Sequence, residues 1–293
     1  MSIEHTHEED DDMIGKNEAL NQMKDAIRED PTIPIKRVYN KVARAMNRGG
    51  GDRKHIPEFH RIRTSMTRTR LGHVPAVPHT VDDITIEDTW RETWSGANFV
   101  LHQDNHWSIL VITTDENTIC LQRRQEVYMD GTFRTAPPPY REYFSIHRKF
   151  RNRVICLVNV LMIGQLIGQY RQTLQVVKQN VRRISKHRWR PHLVISDYEK
   201  SLIAAVNAEL PNVRISGCYF HFGQNLWRRV QFLGLARDHA QNRRLKKTIR
   251  KVIAIGYLSI ALVRQIFLLL ITSRRTHRLQ SFFTSSSTLK QII

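Results

Sequence analysis

"VYMDGTFRT", residues 127–135, is the stretch on which the fold turns. Asp-Gly between short apolar segments is the strongest local signal for a tight hairpin. The same letters also describe a strand that carries Asp130 toward a metal ion. Only the surrounding chain can separate the two readings.

Upstream, "NFVLHQ" and "WSILVITT" alternate as strands, parted by the polar "DN" and closed by a turn at "DEN". Downstream, the loop "TAPPPYRE" leads to "YFSIH" and then "RVICLVNVLMI", a nearly unbroken β-branched run of the kind buried on both faces. "GQYRQTLQVVKQNVRRISK" then sets Tyr170, Leu174, Val177, Val181 and Ile184 on one helical stripe. "HLVISD" is again a buried strand, and the helix "YEKSLIAAVNAEL" follows it until Pro211 stops it. "VRISGCYFHF" reads as a further strand, and "QNLWRRVQFLGL" as a helix ended by Gly234. Strands first, then helix and strand in alternation, predict a mixed sheet with packed helices, an α/β fold. Strands are expected near 127–130, 143–147, 153–163 and 192–197 in one sheet.

Asp130 and Asp197 would then both stand at the carboxyl ends of buried strands, where α/β sheets place their sites. Two converging carboxylates offer the hard oxygen ligands that Mg²⁺ or Mn²⁺ requires. Each residue also has a purely structural account. Asp130 could open a hairpin turn, and Asp197 could open a helix in which "SDYE" forms a capping box from Ser196 to Glu199.

Charge points to the partner. The chain of 293 residues has a formal charge of +19 and a pI near 10.3, although its first twelve residues hold six acids. Such an excess implies a polyanion, with DNA as the default. In "RRLKKTIRK", Arg243, Lys246, Lys247 and Arg250 gather along one helical side, opposite Leu245, Ile249 and Val252, and are expected to touch phosphates. The three cysteines, Cys120, Cys156 and Cys218, follow no framework spacing and fit a reduced, intracellular protein. Residues 252–271 are long and apolar, but Arg264 and Gln265 fall inside them; two core-facing helices divided near Gly256 are expected instead of a membrane span.

Composition divides the chain into an acidic tail without structure (1–15), a helical segment and basic, proline-bearing linker (16–80), the α/β core (90–235) and a basic and apolar helical segment (236–293). In the second part Leu20, Met23 and Ile27 share one helical face, and Val38, Val42 and Met46 another.

Four segments, "YMDGTFRTAPPPYREYFSIH", "GQYRQTLQVVKQ", "HRWRPHLVISDYEKSLIAAVNAELPN" and "SGCYFHFGQNLWRRVQFLGL", resemble the transposase domain of Mutator-like elements (MULE). The joint pattern is D-G-T-F, a strand ending in D-x-E, and C-x-x-H before a Trp-bearing helix. The resemblance runs from about Trp90 to about Leu270. It implies an RNase H-like core whose DDE triad holds two divalent cations, Mg²⁺ or Mn²⁺, and cuts DNA at transposon ends. Asp130 matches the first acid of that triad, Asp197 the second, and Cys218 with His221 the C-x-x-H pair. Gly131 would let the chain turn beside Asp130. As half of a zinc site, C-x-x-H lacks a second ligand pair nearby. The third acid should lie well beyond the C-x-x-H helix, yet past Arg228 the chain has no Glu and one acid, Asp238. The sequence therefore reads as a truncated copy that binds DNA in the nucleus without cutting it. A homo-oligomer remains open on the same resemblance.

Overall fold

The structure is a computed structural model and describes residues 11–50, 52–87, 90–122, 126–132 and 135–272. It separates into two compact units that divide between Val77 and Pro78, within the proline-bearing linker.

The first unit is helical. Helices α1 (Asp11–Glu29), α2 (Ile35–Arg48) and α3 (Phe59–Leu71) close around Met23, Ile27, Val38, Val42, Ile62 and Met66. Leu20 and Met46 pack against that cluster, so both expected faces point inward. Two expectations are corrected. The chain is already helical at Asp11, inside the stretch read as an unstructured tail, and α1 buries Gly15, Ala19, Met23 and Ile27 along one side. The basic linker contains α3, whose Ile62 and Met66, four apart, bury on one side while Arg61, Arg63 and Arg68 stay in solvent and Arg70 donates to the Ile33 carbonyl.

The second unit is built on a seven-stranded mixed sheet, ordered β1-β2-β5-β4-β3-β6-β7. Its strands are β1 (Val100–Asp104), β2 (Ile109–Ile112), β3 (Glu126–Thr132), β4 (Glu142–Phe150), β5 (Arg153–Met162), β6 (Leu193–Ser196) and β7 (Arg214–Gly217). Strands β3, β4 and β5 form an antiparallel meander, while β6 and β7 run parallel to β3. This is an RNase H-like arrangement. The opening ambiguity is settled by register. Asp130 pairs with Ser145, Gly131 with Phe144 and Thr132 with Tyr143, so Asp-Gly lies inside a continuing strand and makes no turn. Gly131 is needed for a different reason: a Cβ there would come within 2.6 Å of Glu142 Oε1.

One sheet face is covered by α4 (Asp115–Gln122), α5 (Ile167–Ser185) and α6 (Lys200–Glu209) over a core that includes Met129, Phe144, Ile146, Val158 and Val160. Tyr170, Leu174, Val177 and Val181 of the predicted stripe are buried in it. Helix α4 replaces the turn expected at "DEN". Its Asp115 pairs with Arg183 at 3.0 Å, and its Thr118 accepts from Asn180 Nδ2 at 2.9 Å, so contacts with α5 overrule a locally turn-like composition.

The expected strand "VRISGCYFHF" is also shortened. It ends at Gly217, and Cys218 becomes the N-cap of α7 (Tyr219–Phe232). The chain ends that helix at Gly234, whose φ of +69° only glycine adopts without strain. Helices α8 (Ala236–Gln241), α9 (Arg243–Ala254) and α10 (Ile260–Thr272) follow. A second core joins Phe222, Leu226 and Val230 of α7 to Ile249, Val252, Ile255 and Val263. The long apolar stretch is thus broken at Ile255–Tyr257, the turn that contains Gly256. Among the described residues no helix is long and apolar enough to cross a membrane.

Candidate functional site

Parallel pairing of β3 with β6 puts Met129 opposite Ser196, so the next residues, Asp130 near the carboxyl end of β3 and Asp197 just past β6, stand side by side. The sheet grows away from this point in both directions, through β4 on one side and β7 on the other. The third parallel strand contributes from Gly217, which pairs with Ser196. The Cys218 amide donates to Ser196 O at 2.6 Å, and one helical turn later His221 Nε2 lies 3.5 Å from Asp130 Oδ1. The C-x-x-H spacing therefore works as a helix start: Cys218 caps and His221 faces the first acid.

Asp130 Oδ1 is shielded from solvent and accepts no hydrogen bond. Asp197 accepts from the Glu199 amide at 3.1 Å through Oδ1, an Asx turn that replaces the capping box expected between Ser196 and Glu199. Burial raises the Asp197 carboxyl above its ordinary range, and the neighbouring Asp130 charge adds to that, while the Glu199 amide and His221 act against it.

Two further acids border this rim: Glu199, which the D-x-E motif contains, and Glu142, which sequence reasoning did not place there. Glu142, at the start of β4, is fully buried, and Glu199 is the N-cap residue of α6. Tyr170 of α5 reaches both, with its hydroxyl 2.6 Å from Glu142 Oε1 and 2.7 Å from Glu199 Oε2. Gln165 Nε2 donates to the same Glu199 oxygen at 2.9 Å. A phenol has one proton, so it donates to one carboxylate and the second contact needs a proton on the other acid. Burial supplies the reason for one: it pushes Glu199 up to about 7, and Glu142 and Asp197 add to the rise. Burial also raises Glu142, against the Tyr170 hydrogen bond. The legible signal was Tyr170 itself, a hydroxyl on an otherwise apolar stripe, which requires a polar partner when buried.

On the other face of β4, Ser145 and His147 share the side of Asp130. Ser145 Oγ donates to Asp130 O at 3.2 Å, and His147 Nε2 lies 2.8 Å from Ser145 Oγ. Burial lowers the His147 imidazole, and the Asp130 charge opposes this. The alternation of "YFSIH" could have found both residues once the pairing with β3 was known.

The chemistry of these donors suits Mg²⁺ or Mn²⁺. Two adjacent carboxylates, one with an orphaned buried oxygen and the other raised by burial and further by its neighbour, gain from a hard cation. The fit extends only to this pair: among the described residues no three His, Cys, Asp or Glu side chains converge as metal ligands. Asp238 lies on α8, beyond the C-x-x-H helix. The four basic residues of "RRLKKTIRK" are on α9. Arg243, Lys247 and Arg250 are exposed and Lys246 is half-buried, while Ile249 and Val252 face the second core.

An RNase H-like sheet with paired aspartates at the carboxyl ends of its central parallel strands defines the class. Residues 126–225, from the first residue of β3 into α7, match the family model of the MULE transposase domain. No curated protein matches the chain.

Proposed function

We propose that this is a transposase-derived nuclear protein that binds DNA through its basic surfaces and holds a divalent cation between Asp130 and Asp197, without cutting or joining strands as the chain stands. The observation that carries the reading is the register of β3 against β6, which sets the two acids side by side with His221 facing one of them. A transposase-family domain generally works with a divalent metal on DNA. Such a cation stabilises the attacking and leaving oxygens of a phosphoryl displacement. This chain's own groups do the rest. Asp130 and Asp197 are the ligands, and His221 stands beside Asp130, its Nε2 3.5 Å from Oδ1. The α9 quartet supplies sequence-independent phosphate contacts.

The inactive reading rests on where the remaining acids are held. Glu142 and Glu199 are engaged by Tyr170, and Glu142 lies on the α5 side of the sheet, opposite Asp130. A weakly held ion costs both charge stabilisation and positioning, and loss of a single electrostatic stabiliser typically costs about a hundredfold to a thousandfold in rate.

Mn²⁺ titration by calorimetry, beside incubation of supercoiled DNA in Mg²⁺ and in Mn²⁺, tests both halves. The native chain is expected to bind Mn²⁺ and leave the DNA supercoiled, and Asp130→Ala to weaken the ion by at least about tenfold. Equal Mn²⁺ affinity in the variant would remove the metal site and leave a non-catalytic DNA-binding protein. Nicking by the native chain that Asp130→Ala lacks would instead restore a working triad, with Glu199 or Asp238 as its third acid.

A further inference from the structure

The amino end of β6 carries a feature that the acid rim does not use. Between the last turns of α5, the connection 186–192 and the loop that links α6 to β7 lies a cleft of about 740 Å³. "RWRPH", residues 188–192, forms one wall and Asn212 part of the opposite one. Trp189 is 3% exposed and anchors this wall in the main core. Pro191, also buried, fixes the backbone just ahead of β6. The wall is therefore built, and it presents Arg188 and Arg190 on either side of the anchored indole.

The cations around the cleft are unequal. Glu209 is the acid in its lining, and it already accepts from Arg171 Nε at 2.9 Å, Gln175 Nε2 at 2.8 Å and Lys178 Nζ at 3.2 Å. Those bonds hold its carboxyl below the ordinary range, against the cost of burial. Lys178 is therefore occupied. Arg182, Arg188 and Arg190 are exposed, and among the described residues no carboxylate pairs with them. Three guanidinium groups open to solvent around one concave surface, with its acid already saturated, complement an anion with several acceptor oxygens. Guanidinium forks match phosphate in a planar, two-bond geometry.

We propose that this cleft is a second DNA-backbone site, in which Arg182, Arg188 and Arg190 hold phosphates at the end of β6 opposite Asp197. It rests on the reading of the chain as a DNA-binding protein and adds a surface to it. Contact here leaves the acid rim free, so a DNA segment in the cleft and one at the acids are separate engagements.

The test is fluorescence anisotropy of a labelled duplex of arbitrary sequence across a salt series, with the full chain. An Arg182→Ala/Arg188→Ala/Arg190→Ala variant is expected to lower the slope of log affinity against log salt by about 2 to 3, since each phosphate contact contributes about 0.9. The corresponding triple Arg→Lys variant, which keeps the charge, is expected to retain most of that slope. Circular dichroism should match the native chain in both, because the three side chains are exposed. An unchanged slope in the Ala variant, with native binding intact, overturns the cleft alone. A native chain that binds no duplex overturns the DNA-binding reading and the cleft with it. Inorganic pyrophosphate that binds the native chain at micromolar levels by calorimetry but not the Ala variant, while that variant keeps the native slope, would reassign the cleft to a small phosphate ligand and overturn the DNA-backbone site.

Discussion

The two ends of β6 carry opposite chemistry for opposite physical reasons. At its carboxyl end, four acids sit near one another, and burial raises Asp197, Glu199 and Glu142 above their ordinary ranges. Holding desolvated carboxylates together costs stability, and such sites concentrate where function requires them. At its amino end, Arg182, Arg188 and Arg190 stay in solvent and cost the fold almost nothing. A crowded acid is informative because it is strained. An exposed arginine becomes informative only when it converges with others on a shaped surface. The two ends should therefore respond differently to the same treatments.

The largest expected effect lies in DNA binding. Replacing Arg243, Lys246, Lys247 and Arg250 of α9 with Ala should lower the salt slope by about 3 to 4, equally on unrelated sequences. Mn²⁺ affinity should not change, as α9 donates no ligand. If calorimetry showed the ion weakened as well, the acid and basic regions would be one coupled site rather than two.

A smaller effect is expected in stability, where only the acid end should be sensitive. Tyr170→Phe removes the hydroxyl shared by Glu142 and Glu199 and leaves buried acceptors unmet, a loss of about 1–3 kcal/mol in urea denaturation. Arg188→Ala should stay within about 0.5 kcal/mol, as an exposed substitution does. Equal losses would erase the contrast between the ends.

The smallest effect concerns pH. Glu142 is raised in the folded chain, so the native state holds its proton to higher pH than the unfolded chain does. The unfolded state then binds fewer protons as pH climbs from the ordinary glutamate value of 4.5, and stability falls across that window until the folded group has also ionised. Glu142→Gln keeps an acceptor for Tyr170 but cannot ionise. Its stability should fall less with rising pH than that of the native chain, and it should be the more stable of the two above the window. A native-like pH slope in the variant would show that Glu142 does not contribute to the titration.

Much of the architecture was legible in local pattern. The β-branched run of β5, the stripe of α5 and the Pro211 stop each follow from side-chain shape and periodicity, so the α/β class and the nearness of Asp130 to Asp197 could be read in advance. The first misreadings were also local. "DEN" looked like a turn and became the start of α4, and "CYFHF" looked like strand and became helix, because α5 and the second core supplied partners that a short window cannot show. What only tertiary structure decided is the company each charged group keeps. Glu142 is one acid in a loop-to-strand passage until β4 pairs with β3 and brings it against Gly131 and Tyr170. "RWRPH" is one more basic run until Trp189 is anchored in the core and turns two arginines toward a cleft with Arg182. Periodicity records which way a residue faces along its own element. It does not record which distant residues the fold brings opposite, and desolvation and charge coupling depend on that.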